Sequence, residues 1–326
     1  MPDLVRAGSQ MSAVLSYIYQ DDASGGRRQQ TQGTNGLGEA YPDYANGAVI
    51  REPYERNFDL ASLEMDIDFG FATLTSATSY YDNNGGSATD NTGFYANNFA
   101  NFYYFYPRPL YTAERTFADS AFVQELRLVS LGENTVDYTV GAFFRNQKRG
   151  SSQVSDLVGF EAWADAAFAP ADIVSTDNVF TYQRSEDYRE LAVFGEFTWH
   201  ATDRLHITGG ARYFDIKSDI NTFVRVGAYD GFAGSVTTPF ESSESDTIFK
   251  ANVAYEISDN DLLYATVSEG FRRGGNNGVP TIGRFANDPG WVVYGADGVT
   301  NYVSFSWTGE IRSLIHLRQT VLFLLL

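Results

Sequence analysis

Three carboxylates spaced two residues apart come closest, in this sequence, to a site of chemistry. Glu64, Asp66 and Asp68 would project from one face of a β-strand, because strand side chains alternate between two faces. Paired carboxylates can hydrolyse glycosidic bonds, and their oxygens can bind a hard cation. Alternatively, they are the polar face of a strand whose other face is Ala61, Leu63, Met65, Ile67 and Phe69. We favour this alternative, because alternation alone explains the spacing.

The rest of the sequence contains no recognisable catalytic or metal-binding motif. Its three histidines, His200, His206 and His316, lack metal-ligand spacing such as His-Glu-x-x-His. There is no Gly-x-Ser-x-Gly nucleophile motif and no Gly-x-x-x-x-Gly-Lys phosphate-binding loop. Cysteine is absent, which excludes disulfides, thiolate metal sites and cysteine nucleophiles. The sequence therefore predicts a protein that is not an enzyme and that has no catalytic residue, cofactor or metal site.

A ligand-binding surface is predicted in segment 94–111, where aromatic side chains stand among asparagines. Aromatic faces beside amides could hold a catecholate chelate, a porphyrin or a sugar ring, although packing of the loop against itself is favoured for most of them. Arg272 and Arg273 could attract an anionic ferric chelate, or could pair with loop carboxylates such as Asp288. The ligand-binding candidates are Tyr95, Tyr103, Tyr104, Tyr106, Arg108, Trp163, Arg272 and Arg273.

The elements that would position these residues are strands whose connections alternate between long and short. Runs with a period of two predict strands at 10–20, 56–68, 71–82, 114–130, 135–148, 187–200, 205–219, 244–257, 262–270 and 300–309. An antiparallel meander with short turns on one rim and long loops on the other is typical of an outer-membrane β-barrel. Most runs also reach the about 9–11 residues that a tilted strand needs to cross a bilayer.

Each predicted strand has one apolar and one polar face, as a barrel with a wet lumen requires. In 135–148, Val136 and Val140 lie on the apolar face and Asp137 and Arg145 on the polar face, with Phe143 as an exception. Aromatic residues near strand ends on the apolar face predict girdles at the membrane interfaces. These residues are Tyr138, Trp199, Tyr213 and Tyr255.

Charge and hydropathy restrict the partners. The net charge of −18 argues against nucleic acid and against a polybasic lipid-binding patch. No segment approaches the about 18 consecutive apolar residues of a membrane helix. The sequence begins Met1-Pro2-Asp3, without the basic region and apolar core of a signal peptide. Either the chain is cytosolic or its true N-terminus lies upstream, and the predicted barrel favours the second.

Three stretches carry a resemblance to a known family. They are Val123–Ser130 followed by Val140–Arg145, then Ile207–Tyr213, and then Leu263–Gly275. Together they resemble the barrel of TonB-dependent receptors, of the siderophore receptor-like kind, over residues 10–305. The third stretch is the most specific, because its strand, Gly270-Phe271-Arg272 and Gly274-Gly275 follow the family's order. The resemblance implies active import: a ligand binds outside, and the TonB energy complex acts on a plug domain to admit it.

The sequence departs from the family in three respects. The plug domain and the energy-coupling box are not in this sequence, and nine or ten strands are predicted where family barrels have about 22. Segment 310–326 loses the alternation and ends in an apolar run. We therefore predict a partial receptor barrel over 1–309 and an aberrant tail over 310–326, frameshifted or truncated from about 304–307.

The sequence as a whole predicts an all-β fold, an antiparallel up-and-down meander of about 9–10 strands forming part of a transmembrane β-barrel, either closed or an open curved sheet. The predicted function is part of a Gram-negative outer-membrane receptor that imports a ferric siderophore or a similar scarce chelate. Its expected partners are outer-membrane lipid, lipopolysaccharide, the chelate, and the TonB complex through the plug region. Two alternatives remain: a small self-contained pore or adhesin, and a soluble carbohydrate-binding β-protein that uses the Glu64–Asp68 face.

Overall fold

The chain forms an antiparallel sheet whose long strands pair in sequence order. The computed structural model describes residues 5–6, 11–26, 30–34, 38–230, 234–258, 261–271, 292–294, 301–303 and 321–325. Nine strands form the meander: β2 (Met11–Ser24), β3 (Tyr54–Asp68), β4 (Ala72–Asp90), β5 (Tyr111–Ser130), β6 (Val136–Leu157), β7 (Asn178–Thr202), β8 (Leu205–Arg225), β9 (Ser235–Ser258) and β10 (Asp261–Ser268). The short strands β1 (Val5–Arg6) and β13 (Val321–Leu325) pair with its two edges, β2 and β10. The predicted meander is confirmed, in the form of an open sheet.

The connections alternate in length as predicted. The short ones join β3 to β4, β5 to β6, β7 to β8 and β9 to β10, and the long ones span 25–53, 91–110, 158–177 and 226–234. The described parts of the long loops contain three short helices: α1 (Thr92–Asn98), α2 (Phe160–Phe168) and a 3₁₀ helix (Gly227–Tyr229). In the part of the chain that the structure describes, no helix has the length and apolar character needed to cross a membrane.

The strands extend further towards the long-loop rim than the sequence predicted. β6 continues to Leu157 instead of 148, β7 begins at Asn178 instead of 187, and β9 begins at Ser235 instead of 244. The extensions of β6 and β7 pair with each other, so that Gln153 lies opposite Tyr182. Those of β7 and β9 pair with the end of β8, which continues to Arg225, so that Gln183 lies opposite Phe223. The ladder of backbone hydrogen bonds therefore continues beyond the part of each strand that shows apolar–polar alternation.

Of the strand predicted at 300–309, the structure describes residues 301–303, and the remainder lies outside the described residues. β12 (Asn301–Val303) pairs with β11 (Val292–Tyr294) as a separate two-stranded sheet instead of extending the meander. Within the predicted aberrant tail, β13 pairs with β10, with Val321 opposite Ser268. The boundary at 309 and the origin of the tail stay predictions.

The strand register assigns the side chains to two faces, because residues directly opposite one another share a face. The apolar face carries Leu126, Val193 and Trp199, and Val193 lies opposite Ala142 and Tyr213. The predicted girdle residues Tyr138, Trp199, Tyr213 and Tyr255 all lie on this face. Tyr213 stands in the middle of β8 instead of near an end, because β8 continues to Arg225.

The polar face carries Phe143, the residue that broke the alternation. Phe143 packs there against a buried cluster of Tyr188, Ala192, Phe214 and Ile216. The ring of Phe271, the aromatic residue of the Gly-Phe-Arg stretch, stacks on Phe214 with the ring centroids 3.8 Å apart. One apolar patch therefore lies on a face that is otherwise polar.

Gly141, on the polar face of β6, has no room for the methyl side chain of alanine. A Cβ at this position would lie 2.6 Å from the carbonyl oxygen of Leu126 and would also collide with the ring of Phe194. Because the backbone must shift to accept it, we expect Gly141→Ala to destabilise the sheet by about 1–3 kcal/mol in urea unfolding. Gly209→Ala is the matched control, because a Cβ there meets open space. Equal effects of the two substitutions would contradict this packing.

Candidate functional site

Three of the long loops pack together on one rim of the sheet around a common apolar core. Loops 91–110, 158–177 and 226–234 all contribute to this loop core. Its buried members are Tyr95, Tyr103, Tyr106, Leu157, Phe160, Ala164, Val174, Val179 and Ala228. Partly buried residues around it include Trp163, Phe168 and Tyr229. These three loops therefore form one packed unit and do not extend separately from the sheet.

Phe160, at the start of α2, lies at the centre of the loop core. Its ring contacts those of Tyr103 and Tyr106 at centroid distances of 5.5 and 5.7 Å. It also lies 5.9 Å from the ring of Trp163. Edge-to-face and offset contacts in this range favour packed aromatic clusters. Phe160 thus joins loop 158–177 to loop 91–110.

Hydrogen bonds fix how the loops meet. The hydroxyl of Tyr106 donates to the carbonyl oxygen of Val158, and that of Tyr229 donates to the carbonyl oxygen of Phe102, each at 3.0 Å. The carboxylate of Asp177 accepts hydrogen bonds from the backbone N–H groups of Gly159 at 2.7 Å and Glu161 at 2.9 Å, where α2 begins. Negative charge is favourable at a helix N-terminus, so Asp177 holds α2 in place.

The sequence-predicted residues divide by burial. Tyr95, Tyr103 and Tyr106 are buried in the loop core, whereas Tyr104 and Arg108 are exposed and Trp163 is half-buried. Burial raises the pKa of the Tyr103 phenol, as it does for Tyr229, because desolvation disfavours the phenolate. Arg272, Arg273 and Asp288 lie outside the described residues. The structure thus brings six of the eight candidates together, three of them beneath the surface.

Two cavities open beside the loop core. One, of about 380 Å³, is lined mainly by aromatic residues that include Phe94, Phe99 and Phe102, with the amide of Gln153 among them. The other, of about 650 Å³, is lined by Phe102 and Tyr104 together with carboxylates. These volumes are typical of small-molecule sites, which combine apolar walls with a few polar groups.

The carboxylate of Asp230, which lines the larger cavity, is paired with Arg225. Arg225 Nε donates to Asp230 Oδ1 at 2.9 Å, and a second guanidinium nitrogen contacts Oδ2. The hydrogen bonds from Arg225 hold the pKa of the Asp230 carboxyl below its usual range. Arg225 thus offsets part of the negative charge at this cavity, while Arg108 adds an exposed cation to the same rim.

The polar face carries a hydrogen-bonded network that sequence patterns did not reveal. Gln147 donates to Asp119 at 2.6 Å and to the hydroxyl of Tyr81 at 2.9 Å, and Arg149 lies 3.4 Å from Asp119. The period-two pattern places these residues on one face, but only the strand register brings them together. Such a network is expected of a wall that faces water and polar protein instead of lipid.

The carboxylates Glu64, Asp66 and Asp68 lie on the polar face, as the favoured interpretation predicted. Asp66 accepts hydrogen bonds from Thr75 at 2.6 Å and from Ser12 at 3.4 Å, on the two neighbouring strands. Among the described residues, no group of three or more histidines and carboxylates is arranged to hold a metal ion. The exposed apolar face also argues against a soluble carbohydrate-binding protein, which would need a second layer to cover it.

A nine-strand meander with one apolar face, one polar face and all long loops on one rim defines the wall of an outer-membrane β-barrel. The family model described as TonB dependent receptor-like, beta-barrel, matches residues 7–308. The chain therefore belongs to the TonB-dependent receptor family, whose members are outer-membrane transporters and not enzymes. This confirms the resemblance noted in the sequence.

Similar proteins include receptors from several bacteria. The pesticin receptor of Yersinia pestis is 26% identical over 166 residues, which are 49% of this chain and 21% of that receptor. The rhizobactin receptor of Rhizobium meliloti is 31% identical over 93 residues, 27% of this chain and 12% of that protein.

The structure of the ferric yersiniabactin uptake receptor FyuA from Yersinia pestis matches with a TM-score of 0.62 at 16% identity, covering 84% of this chain and 37% of that one. The siderophore receptor PiuA from Acinetobacter baumannii gives a TM-score of 0.55 at 13% identity, covering 80% and 40%. The chain thus spans well under two thirds of the length of these proteins.

Proposed function

We propose that this chain is part of an outer-membrane receptor that binds a ferric siderophore or a similar scarce metal chelate at its loop core. The observation that carries the proposal is the loop core itself, with its two cavities on the long-loop rim. The similar structures of the ferric yersiniabactin uptake receptor FyuA and the siderophore receptor PiuA support a chelate as the ligand, whereas the similarity to the pesticin receptors leaves a bacteriocin as a second ligand class. Import would be energised by the TonB complex through a plug region, and the barrel would sit among lipid and lipopolysaccharide in a Gram-negative outer membrane.

The candidate residues take two roles in this proposal. Tyr104, Arg108 and Trp163 reach the surface and would contact the chelate, with Arg108 supplying positive charge for an anionic ligand. Tyr95, Tyr103 and Tyr106 lie beneath them and would hold the loops in position. Arg272 and Arg273 follow β10 in sequence and are proposed as further cations for the same ligand.

The test is the binding of a ferric tris-catecholate chelate to the purified chain in detergent. Binding is measured by the quenching of tryptophan fluorescence. We expect Tyr104→Ala to weaken binding about tenfold, since loss of one interfacial aromatic contact commonly costs more than about 1 kcal/mol. Tyr44→Ala is the matched control: Tyr44 is also exposed and, like Tyr104, has a positive φ, but it lies in loop 25–53.

Arg108→Gln should also weaken binding of the chelate, and more strongly at low ionic strength, because an exposed cation acts through a field that salt screens. Equal binding by the parent chain, Tyr104→Ala and Arg108→Gln would contradict the proposed site. So would an equal loss of binding in Tyr44→Ala.

A further inference from the structure

Two of the chain's three histidines meet at the rim of the short turns, far along the sheet from the loop core. His200 near the end of β7 lies opposite His206 at the start of β8, with their Nδ1 atoms 2.7 Å apart. Nε2 of His200 lies 2.8 Å from Asp137 Oδ2 on β6, and Nε2 of His206 lies 3.5 Å from Glu256 Oε1 on β9. A carboxylate, two imidazoles and a second carboxylate thus form a row across four adjacent strands.

The contact between the two rings requires one proton or one cation. In one neutral arrangement a ring donates its Nδ1–H to the Nδ1 of the other ring, while His200 donates its Nε2–H to Asp137. When both rings instead carry their proton on Nε2, beside the two carboxylates, each Nδ1 has a free lone pair. In that tautomer the two nitrogens, on adjacent strands, are a pair of ligands for one cation that lies beside the line joining them.

The surroundings of the two rings suit a metal ion. Histidine ligands commonly donate their second ring N–H to a carboxylate, which fixes the ring and raises the basicity of the ligating nitrogen. Asp137 stands in that relation to His200, and the carboxylate of Glu256 lies near the corresponding nitrogen of His206, 3.5 Å from Nε2. Both imidazoles are partly exposed, so an ion and its remaining water ligands can enter.

The required movement is small. Metal–nitrogen bonds of about 2.0–2.1 Å place two cis ligands about 2.9 Å apart at a right angle. The two Nδ1 atoms would therefore separate by only a few tenths of an ångström from their 2.7 Å spacing.

We propose that His200 and His206 bind one divalent transition-metal ion through their two Nδ1 atoms, with Asp137 and Glu256 orienting the rings. Imidazole nitrogen favours Cu²⁺, Ni²⁺ and Zn²⁺, with Cu²⁺ bound most tightly, whereas Ca²⁺ and Mg²⁺ prefer oxygen ligands. The site lies on the rim opposite the loop core, so it is independent of the proposed chelate-binding site.

The proposal is tested by titrating the purified chain in detergent with CuCl₂ and with ZnCl₂ by calorimetry. We expect one ion per chain and at least a tenfold loss of affinity in His200→Gln and in His206→Gln. Asp137→Asn should weaken binding about 10–100-fold, as removal of an orienting carboxylate does in other sites, because Asp137 is the carboxylate hydrogen-bonded to His200. The chain supplies a matched control in its third histidine: His316→Gln should leave the affinity unchanged.

A second readout distinguishes a metal site from a structural role of the histidines. Zn²⁺ should raise the unfolding temperature of the parent chain and of His316→Gln, but not of His200→Gln or His206→Gln, because only a bound ion stabilises the folded state by mass action. X-ray absorption of the copper complex should show two imidazole nitrogens. No stoichiometric binding, or binding unaffected by His200→Gln and His206→Gln, would overturn the proposal and leave the two rings joined by an N–H···N hydrogen bond alone.

Discussion

Val193→Arg is expected to prevent stable insertion of the chain into a lipid bilayer. Val193 is exposed on the apolar face and lies six positions before Trp199, which marks the short-turn rim. With the usual rise per residue of a β-strand and the usual tilt of strands in a membrane barrel, six residues span about 15 Å along the membrane normal. Val193 therefore lies close to the middle of the apolar band. Arginine at this depth on a lipid-facing strand costs about 2–4 kcal/mol. The measurement is urea unfolding of the chain folded into phospholipid vesicles.

The matched control for Val193→Arg is Thr139→Arg on the polar face. Thr139 lies opposite Glu196, whose carboxylate can receive the new guanidinium. We therefore expect Thr139→Arg to change the free energy of unfolding by less than about 1 kcal/mol, since surface ion pairs contribute little. If both substitutions reduced insertion equally, the assignment of the two faces to lipid and lumen would be wrong.

Phe160→Ala is expected to unfold the loop core while leaving the sheet intact. The side chain of Phe160 is fully buried and contacts rings from two other loops. Truncating a buried phenylalanine to alanine typically costs about 3–5 kcal/mol, because both transfer energy and packing are lost. Hydrogen exchange should show the amides of 91–110 and 158–177 losing protection, while those in β5 to β8 keep it.

Phe105→Ala is the control for Phe160→Ala, because Phe105 is 68% exposed at the surface of the same unit. It should leave the exchange of all three loops unchanged. Loss of protection in the strands as well as the loops would contradict the view that the loop core is a separate packing unit on the rim. An unaltered pattern in Phe160→Ala would contradict the existence of that core.

The sheet could be predicted from the sequence because each strand carries its own signal. Alternation along 114–130 and 135–148 determines both the strand type and the faces, and the short turns between strands determine antiparallel pairing. The extensions of β6, β7 and β9 could not be predicted, since they lie beyond the alternating segments and depend on hydrogen bonding to one another and to β8. A backbone ladder has no requirement for apolar side chains, so it leaves no pattern in the sequence.

The candidate site was only partly predictable. Segment 94–111 stood out by composition, but composition cannot separate Tyr103, which is buried, from its neighbour Tyr104, which is exposed. That difference arises from contacts with Phe160 and Tyr229, which are distant in sequence. The row of Asp137, His200, His206 and Glu256 escaped notice for the same reason, because strand register brings together residues whose spacing fits no metal-binding motif.

The central claim is that the meander is a membrane wall with lipid on one face and an aqueous lumen on the other. Because the chain has no cysteine, single cysteines can be introduced along β7 from 190 to 199 and spin-labelled in lipid vesicles. We expect labels at the odd-numbered positions, which include Leu191, Val193 and Phe197, to be accessible to oxygen dissolved in the lipid. Labels at the even-numbered positions, apart from Ala192 in its buried cluster, should instead be accessible to a water-soluble nickel chelate. Accessibility without a period of two, or with the two sets of positions exchanged, would contradict the account.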